Sequence, residues 1–223
     1  MDLSGKRIVI TGAAGGLGRA VTAAVIAQGG TPLLVDLAFP ADFAPGEEKF
    51  AFDLTDTAAT AREVARMGHI DGLMNLAGGF HMGPAHDIGD DGWDATFRIN
   101  VQTLRSMVAA VVPKMLAQGR GTIVNVGALG AVQGQAQLGA YGASKSVVMR
   151  LTESLSAELR ERGINVNAVL PSIIDTPANR KDMPDADPAK WVAPADLARV
   201  ICFLASDAAR AIHGALVPVR GLS

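Results

Sequence analysis

The chain has 223 residues, 49% hydrophobic, 19% charged and only 4% aromatic, a balance that fits one compact domain around a single core. Lys and Arg number 20 against 22 Asp and Glu, a formal charge of -2 that leaves no basic excess to neutralise a phosphate backbone, so nucleic acid is not an expected partner. A single cysteine, Cys202, excludes an internal disulfide framework and a multi-cysteine metal site, and agrees with a reducing, cytoplasmic compartment.

In chain order, the first apolar run, Arg7 to Ile10, predicts a strand that leads through Thr11-Gly12-Ala13-Ala14-Gly15-Gly16-Leu17-Gly18 into a helix over 16–28. Glycines at this junction let the backbone turn sharply and approach a pyrophosphate at the helix N-terminus, where free N–H groups and the dipole favour negative charge. Gly12, Gly16, Leu17 and Gly18 are therefore candidate cofactor contacts. The second strand, Leu33 to Val35, closes on Asp36, about 20 residues after the glycines, the offset at which a carboxylate meets ribose hydroxyls. A carboxylate accepts from a 2'-OH and repels a 2'-phosphate, and Leu37, Ala38 and Phe39 supply no cation, so NAD(H) is expected to be preferred over NADP(H). Against this, Asp36 could merely cap the strand, and Arg19 could bind a 2'-phosphate.

Further strands are expected at Phe50–Phe52, Gly72–Met74, Thr122–Val126, Asn165–Leu170 and Leu216–Val219, with helices over 56–67, 92–118, 138–162 and 195–206. Most of the seven strands are continuous apolar runs, as in a parallel sheet covered by helices on both faces, so the fold class is a single-domain, doubly wound Rossmann-type α/β sheet over 1–223. Gly163 is a stop signal for the 138–162 helix. The proline-rich stretch 176–194 reads as an irregular excursion and a candidate substrate lid. Within the 138–162 helix, Tyr141 and Lys145 share one face at i,i+4, and Tyr141 is the only tyrosine in the chain. An ammonium beside a phenol favours phenolate and would lower its pKa towards working pH, as a general acid/base requires, although such pairs are also common on plain helix surfaces.

With these residues in order, the chain resembles the classical short-chain dehydrogenase/reductase family over essentially its whole length. The resemblance rests on Thr11-Gly12-x-x-x-Gly16-x-Gly18, Asp53-Leu54, Asn75-Leu76-Ala77-Gly78, Asn100, Tyr141-x-x-x-Lys145, and Pro171 to Thr176. It implies that Tyr141 passes a proton, that Lys145 holds the nicotinamide ribose, and that Asn100 fixes a water in a proton relay. It also implies that Asp53 and Leu54 border adenine, that Asn75, Ala77 and Gly78 border the ribose, and that Pro171, Ile174 and Thr176 flank the carboxamide and phosphates. Asn75 and Asn100 could instead stitch neighbouring backbone. A homodimer or homotetramer acting on a small molecule is implied as well.

One departure from that family bears on mechanism. Its catalytic serine stands thirteen residues before the tyrosine, where this chain has Ala128. Losing one preorganised donor to the substrate oxygen can remove about 2.7–4 kcal/mol of transition-state stabilisation. Gln133, His81 or Ser172 could supply another donor, the substrate could need less help, or the protein could be a weak or inactive dinucleotide-binding redox sensor. The segment Asp175 to Asp187 with Trp191, and Ala77-Gly78-Gly79-Phe80, locally resemble dihydropteridine reductase, which implies a quinonoid dihydropterin as one substrate class beside a carbonyl or alcohol.

The remaining candidates have blander readings. His69, His81, His86 and His213 lack paired metal-ligand spacing, so no metal is expected. His81 and Met82 could line the substrate pocket or face solvent, and Trp191 could close a lid. Trp93 reads as a hydrophobic anchor, the Met107, Val111, Met115 and Leu116 set as core or subunit contact, and Cys202 as buried filler. No uncharged apolar run approaches the roughly 18–20 residues of a membrane span, and the opening segment lacks a signal-peptide core.

Overall fold

The structure, a computed structural model, describes residues 2–44 and 46–222. Seven strands form one parallel sheet: β1 (Arg7–Thr11), β2 (Thr31–Asp36), β3 (Glu48–Ala51), β4 (Gly72–Asn75), β5 (Gly121–Val126), β6 (Ile164–Pro171) and β7 (Leu216–Val219), in the order β3-β2-β1-β4-β5-β6-β7. Side chains alternate across it, so each apolar run feeds two cores at once. Ile8, Ile10, Leu34, Met74, Val124 and Val169 meet α1 (Gly16–Ala27) and α7 (Pro194–Ala205) on one face. Val9, Leu33, Val35, Leu73, Ile123 and Val166 meet α2 (Thr57–Arg66) and α4 (Thr103–Gln118) on the other. This two-sided burial is why the strands are continuous hydrophobic runs. Pro218 is tolerated because β7 is an edge strand.

The expected 92–118 helix is three pieces: α3 (Gly89–Phe97), a π-helical turn (Arg98–Gln102) and α4. Trp93 lies inside α3, its ring 6.0 Å from that of Phe97. Met107, Val111 and Met115 are fully buried, which assigns them to the core rather than to a subunit seam. α5 spans Gly139–Leu159, and the chain leaves it through Gly163, whose φ of 78° is the left-handed stop read from the sequence.

The excursion is more ordered than expected. Thr176 caps α6 (Pro177–Asp182) by accepting from the Asn179 N–H at 3.2 Å, with Pro177 preset at the first helical position. Trp191 and Val192 are buried, held by the bridge between Ile174 and Val192 and by the bond from the Leu222 N–H to the Lys190 carbonyl. Cys202 is buried in α7, and burial pushes its thiol up to about 11. None of the described helices is long and apolar enough to cross a membrane.

Candidate active site

β1 and β4 are neighbours in the sheet but not in the chain, and the crevice beyond their carboxyl ends is where doubly wound sheets bind ligands. The Thr11 hydroxyl holds that crevice together, accepting at 3.0 Å from the Leu76 N–H and at 3.0 Å from the Ala77 N–H. Gly12 has φ 66°, and a β-carbon there would lie 3.0 Å from the Ala77 backbone. A β-carbon on Gly18 would overlap the Gly12 carbonyl oxygen, so the turn into α1 closes only with glycine. α1 starts without a side-chain cap and without an acidic residue in its first turn, leaving its N–H groups and positive dipole end open to an anion. Leu17 packs its side chain on the adjoining core. Thr176 stands over the same turn, its Cγ2 being 3.0 Å from where a Gly16 β-carbon would lie. These features fit a dinucleotide, with the pyrophosphate at Gly16 to Gly18.

Asp36, at the end of β2, accepts from the Ala14 N–H at 2.9 Å and the Leu37 N–H at 2.8 Å, so its carboxylate braces the glycine turn. Arg19 donates to the Ala14 carbonyl at 3.0 Å and lies 4.6 Å above the Phe43 ring. Asp53 is exposed and accepts from the Thr55 N–H, which with the Thr55 side chain holds its carboxyl below the usual range. Leu54 turns its side chain into the core. Asn75 is buried and donates to Asn125 at 2.9 Å, continuing to Thr152, while its own Oδ1 has no partner among the described residues. Its stitching role is thus visible, with one acceptor left over. Pro171 ends β6, and Ile174, paired with Val192, carries the chain to Thr176.

At the other end of the crevice, α5 presents Tyr141 and Lys145. A β-carbon on Gly78 would lie 2.7 Å from Asn100 Oδ1 and 3.1 Å from Lys145 Nζ, which brings the β4 exit, the π turn and α5 to one point. Lys145 is buried and donates to the Val126 carbonyl at 3.0 Å. Asn100 accepts from the Gly79 N–H and donates to the Gly79 carbonyl, both at 3.0 Å, and donates to Ser144 Oγ at 3.2 Å. Its side chain is occupied in stitching, which the widened turn around it makes geometrically possible. Ser144 in turn donates to the Tyr141 carbonyl at 2.8 Å. The Tyr141 hydroxyl has no protein partner among the described residues.

Phe80 packs edge-on against Tyr141, with ring centroids 4.8 Å apart and planes at 72°. Behind Tyr141 lie Ala128, Ala131, Leu129, Met149, Leu170 and Leu216. This apolar socket corrects one expectation: burial pushes the phenol up to about 12 rather than down. Lys145, also buried, falls to about 8. Ala128 puts a methyl group where a serine hydroxyl would face Tyr141. Of the alternative donors, Ser172 gives its proton to the Arg220 carbonyl at 2.6 Å, while His81 and Gln133 are exposed on the loops flanking Tyr141. Among the described residues no three His, Cys, Asp or Glu come together as metal ligands.

Thr11, Ser144 and Phe80 act in this site although sequence reasoning gave none of them a role of its own. Thr11 and Phe80 flank glycine turns, a signal of position but not of contact. Ser144 carried no signal beyond standing next to Lys145.

Comparison with known proteins agrees with this geometry. The family profile described as short chain dehydrogenase matches residues 6–187. A sorbitol dehydrogenase from Cereibacter sphaeroides is 38% identical over 186 residues, covering 78% of this chain and 73% of the relative. A D-threitol dehydrogenase from Mycolicibacterium smegmatis is 34% identical, covering 98% and 93%. A solved structure provisionally named an NAD(P)-dependent gluconate 5-dehydrogenase from Beutenbergia cavernae, with NADP bound at low occupancy, superposes with TM-score 0.91 at 30% identity, covering 99% and 97%.

Proposed function

The chain belongs to the short chain dehydrogenase family of oxidoreductases, and from that premise we propose that it moves hydride between NAD(H) and a small organic carbonyl or alcohol, with Tyr141 as acid/base. The observation that carries this reading is the phenol hydroxyl of Tyr141, without a protein partner among the described residues, in a crevice whose other end is an uncapped glycine turn. The nicotinamide dinucleotide, when bound, supplies or accepts the hydride. The chain's own residues do the rest. Gly12 to Gly18 and the α1 N-terminus hold the pyrophosphate, Asp36 accepts from ribose hydroxyls, and Lys145, next to Gly78, binds the second ribose. Tyr141 donates its proton to the substrate oxygen.

Preference for NAD(H) rests on the Asp36 carboxylate and on Arg19 being engaged with Ala14 and Phe43, although the Beutenbergia cavernae structure carries NADP. The excursion from Thr176 supplies the lid through α6, its far end being fixed by Trp191. A homodimer or homotetramer would use the shallow groove between α4 and α5 where Val108, Leu151 and Leu155 are half-buried.

The test is NADH oxidation by the wild type and by Tyr141→Phe over a panel of ketones, polyol-derived ketoses and a quinonoid dihydropterin. Loss of about 10²–10⁴-fold in rate with NADH affinity retained is expected, and undiminished activity removes Tyr141 from the mechanism. Ala128 favours one second reading, a redox sensor that binds the dinucleotide without catalysis. Tight NADH binding with no turnover of any panel member would establish it.

A further inference from the structure

The surroundings of Tyr141 carry information about what the substrate looks like away from its reacting group. Phe80, Met82 and Val132 are large apolar side chains left 55%, 58% and 58% exposed, an arrangement that favours an apolar occupant. They stand on two loops, the exit of β4 and the exit of β5, that are fastened to each other and to α5. The Gly83 N–H donates to the Gln137 carbonyl at 2.9 Å, Gly83 pairs with Leu138, and Ser146 donates to the Ala131 carbonyl at 3.0 Å. The frame is therefore held in place before anything binds. Phe80 meets the Tyr141 ring edge-on, and on the interior side Tyr141 packs with Leu129 and Leu216 against the cluster of Ala128, Ala131, Met149 and Leu170. Of the polar side chains on these loops, His81, Gln133 and Gln137 are exposed, and the Gln135 amide lies against Gly130.

A substrate reaching Tyr141 through this frame meets the phenol beside the ring of Phe80 and the apolar cluster that includes Ala128. Several hydroxyl groups pressed against Phe80 and Ala128 would lose water without gaining partners. We propose that the substrate has an apolar, ring-sized body with a single polar reacting group, an alicyclic or aryl ketone or its secondary alcohol, and that Phe80 is the specificity-determining residue that grips it. The proposal rests on the assignment of Tyr141 as the group that meets the substrate oxygen.

The experiment titrates the NADH-loaded protein with cyclohexanol and, separately, with threitol, neither of which reacts with reduced cofactor, and follows NADH fluorescence. Cyclohexanol is expected to bind about tenfold or more tightly than threitol, an advantage lost in Phe80→Ala and largely kept in Phe80→Leu, in line with the worth of a buried apolar contact. Equal or tighter binding of threitol, or an advantage that survives Phe80→Ala, overturns the proposal. Turnover with NAD+ separates it from its premise. Threitol oxidation that depends on Tyr141, without any preference for cyclohexanol, refutes the apolar specificity and leaves the proton role standing. The expected binding preference with equal activities in the wild type and Tyr141→Phe keeps the specificity and refutes the proton role.

Discussion

Ala128 puts a methyl group in the apolar cluster on which Tyr141 packs, so under the proposed function the phenol donates to the substrate oxygen without the family serine beside it. Restoring a second donor is thus a direct probe of what limits the chemistry. Ala128→Ser is expected to raise kcat/KM for a simple ketone by about tenfold or more, within the 10²–10³ that such a donor can contribute. No gain would show that another group already serves. Lys145 gives a prediction about stability. Its folded-state value of about 8 lies below the usual 10.5, so between these values the unfolded chain binds more protons than the folded one, and stability from this group rises with pH across that window. Tyr141, raised to about 12, opposes this only above its ordinary value of 10.0. In urea unfolding, wild type should therefore gain stability relative to Lys145→Met between about pH 8 and about pH 10, and parallel curves would contradict a Lys145 lowered by burial. At this scale the sequence showed Tyr141, Lys145 and the missing serine, because each is a matter of identity and spacing. It did not show Phe80 against Tyr141 or Ser144 on Asn100, which are contacts between residues 61 and 44 positions apart.

The seven strands were legible because burial on both faces writes itself as unbroken apolar runs, as in Ile164–Pro171, where every residue is buried. α6 was missed because Thr176-Pro177 reads equally as a break and as a cap with proline at the first helical position. The π turn at Arg98–Gln102 leaves no periodic mark in five residues, yet it places Asn100 on the Gly79 backbone. Asp36, at the end of β2, braces the Ala14 amide, and the proposed function gives it a second task at the ribose. Replacing its charge while keeping a hydrogen-bonding group separates them: Asp36→Ser should raise NADPH affinity relative to NADH by about tenfold, equivalent to about 1.4 kcal/mol, as measured by calorimetric titration of each cofactor. An unchanged ratio would mean that Asp36 braces the turn without selecting the cofactor.

Across the whole molecule, the order β3-β2-β1-β4-β5-β6-β7 gathers at one edge residues as far apart as Gly12 and Thr176, and no periodicity in the sequence announces that convergence. Family motifs announced it only by analogy, and the physical reason is that β1 and β4 lie side by side with their connections leaving in opposite directions. The same convergence makes the central claim measurable. When NADH carrying deuterium on the transferable face of C4 is supplied with a ketone substrate, the wild type should deliver the label to the carbinol carbon of the product, and Tyr141→Phe should form product slower by orders of magnitude. Product free of label, or labelled product made as fast by Tyr141→Phe, would contradict hydride transfer assisted by this phenol.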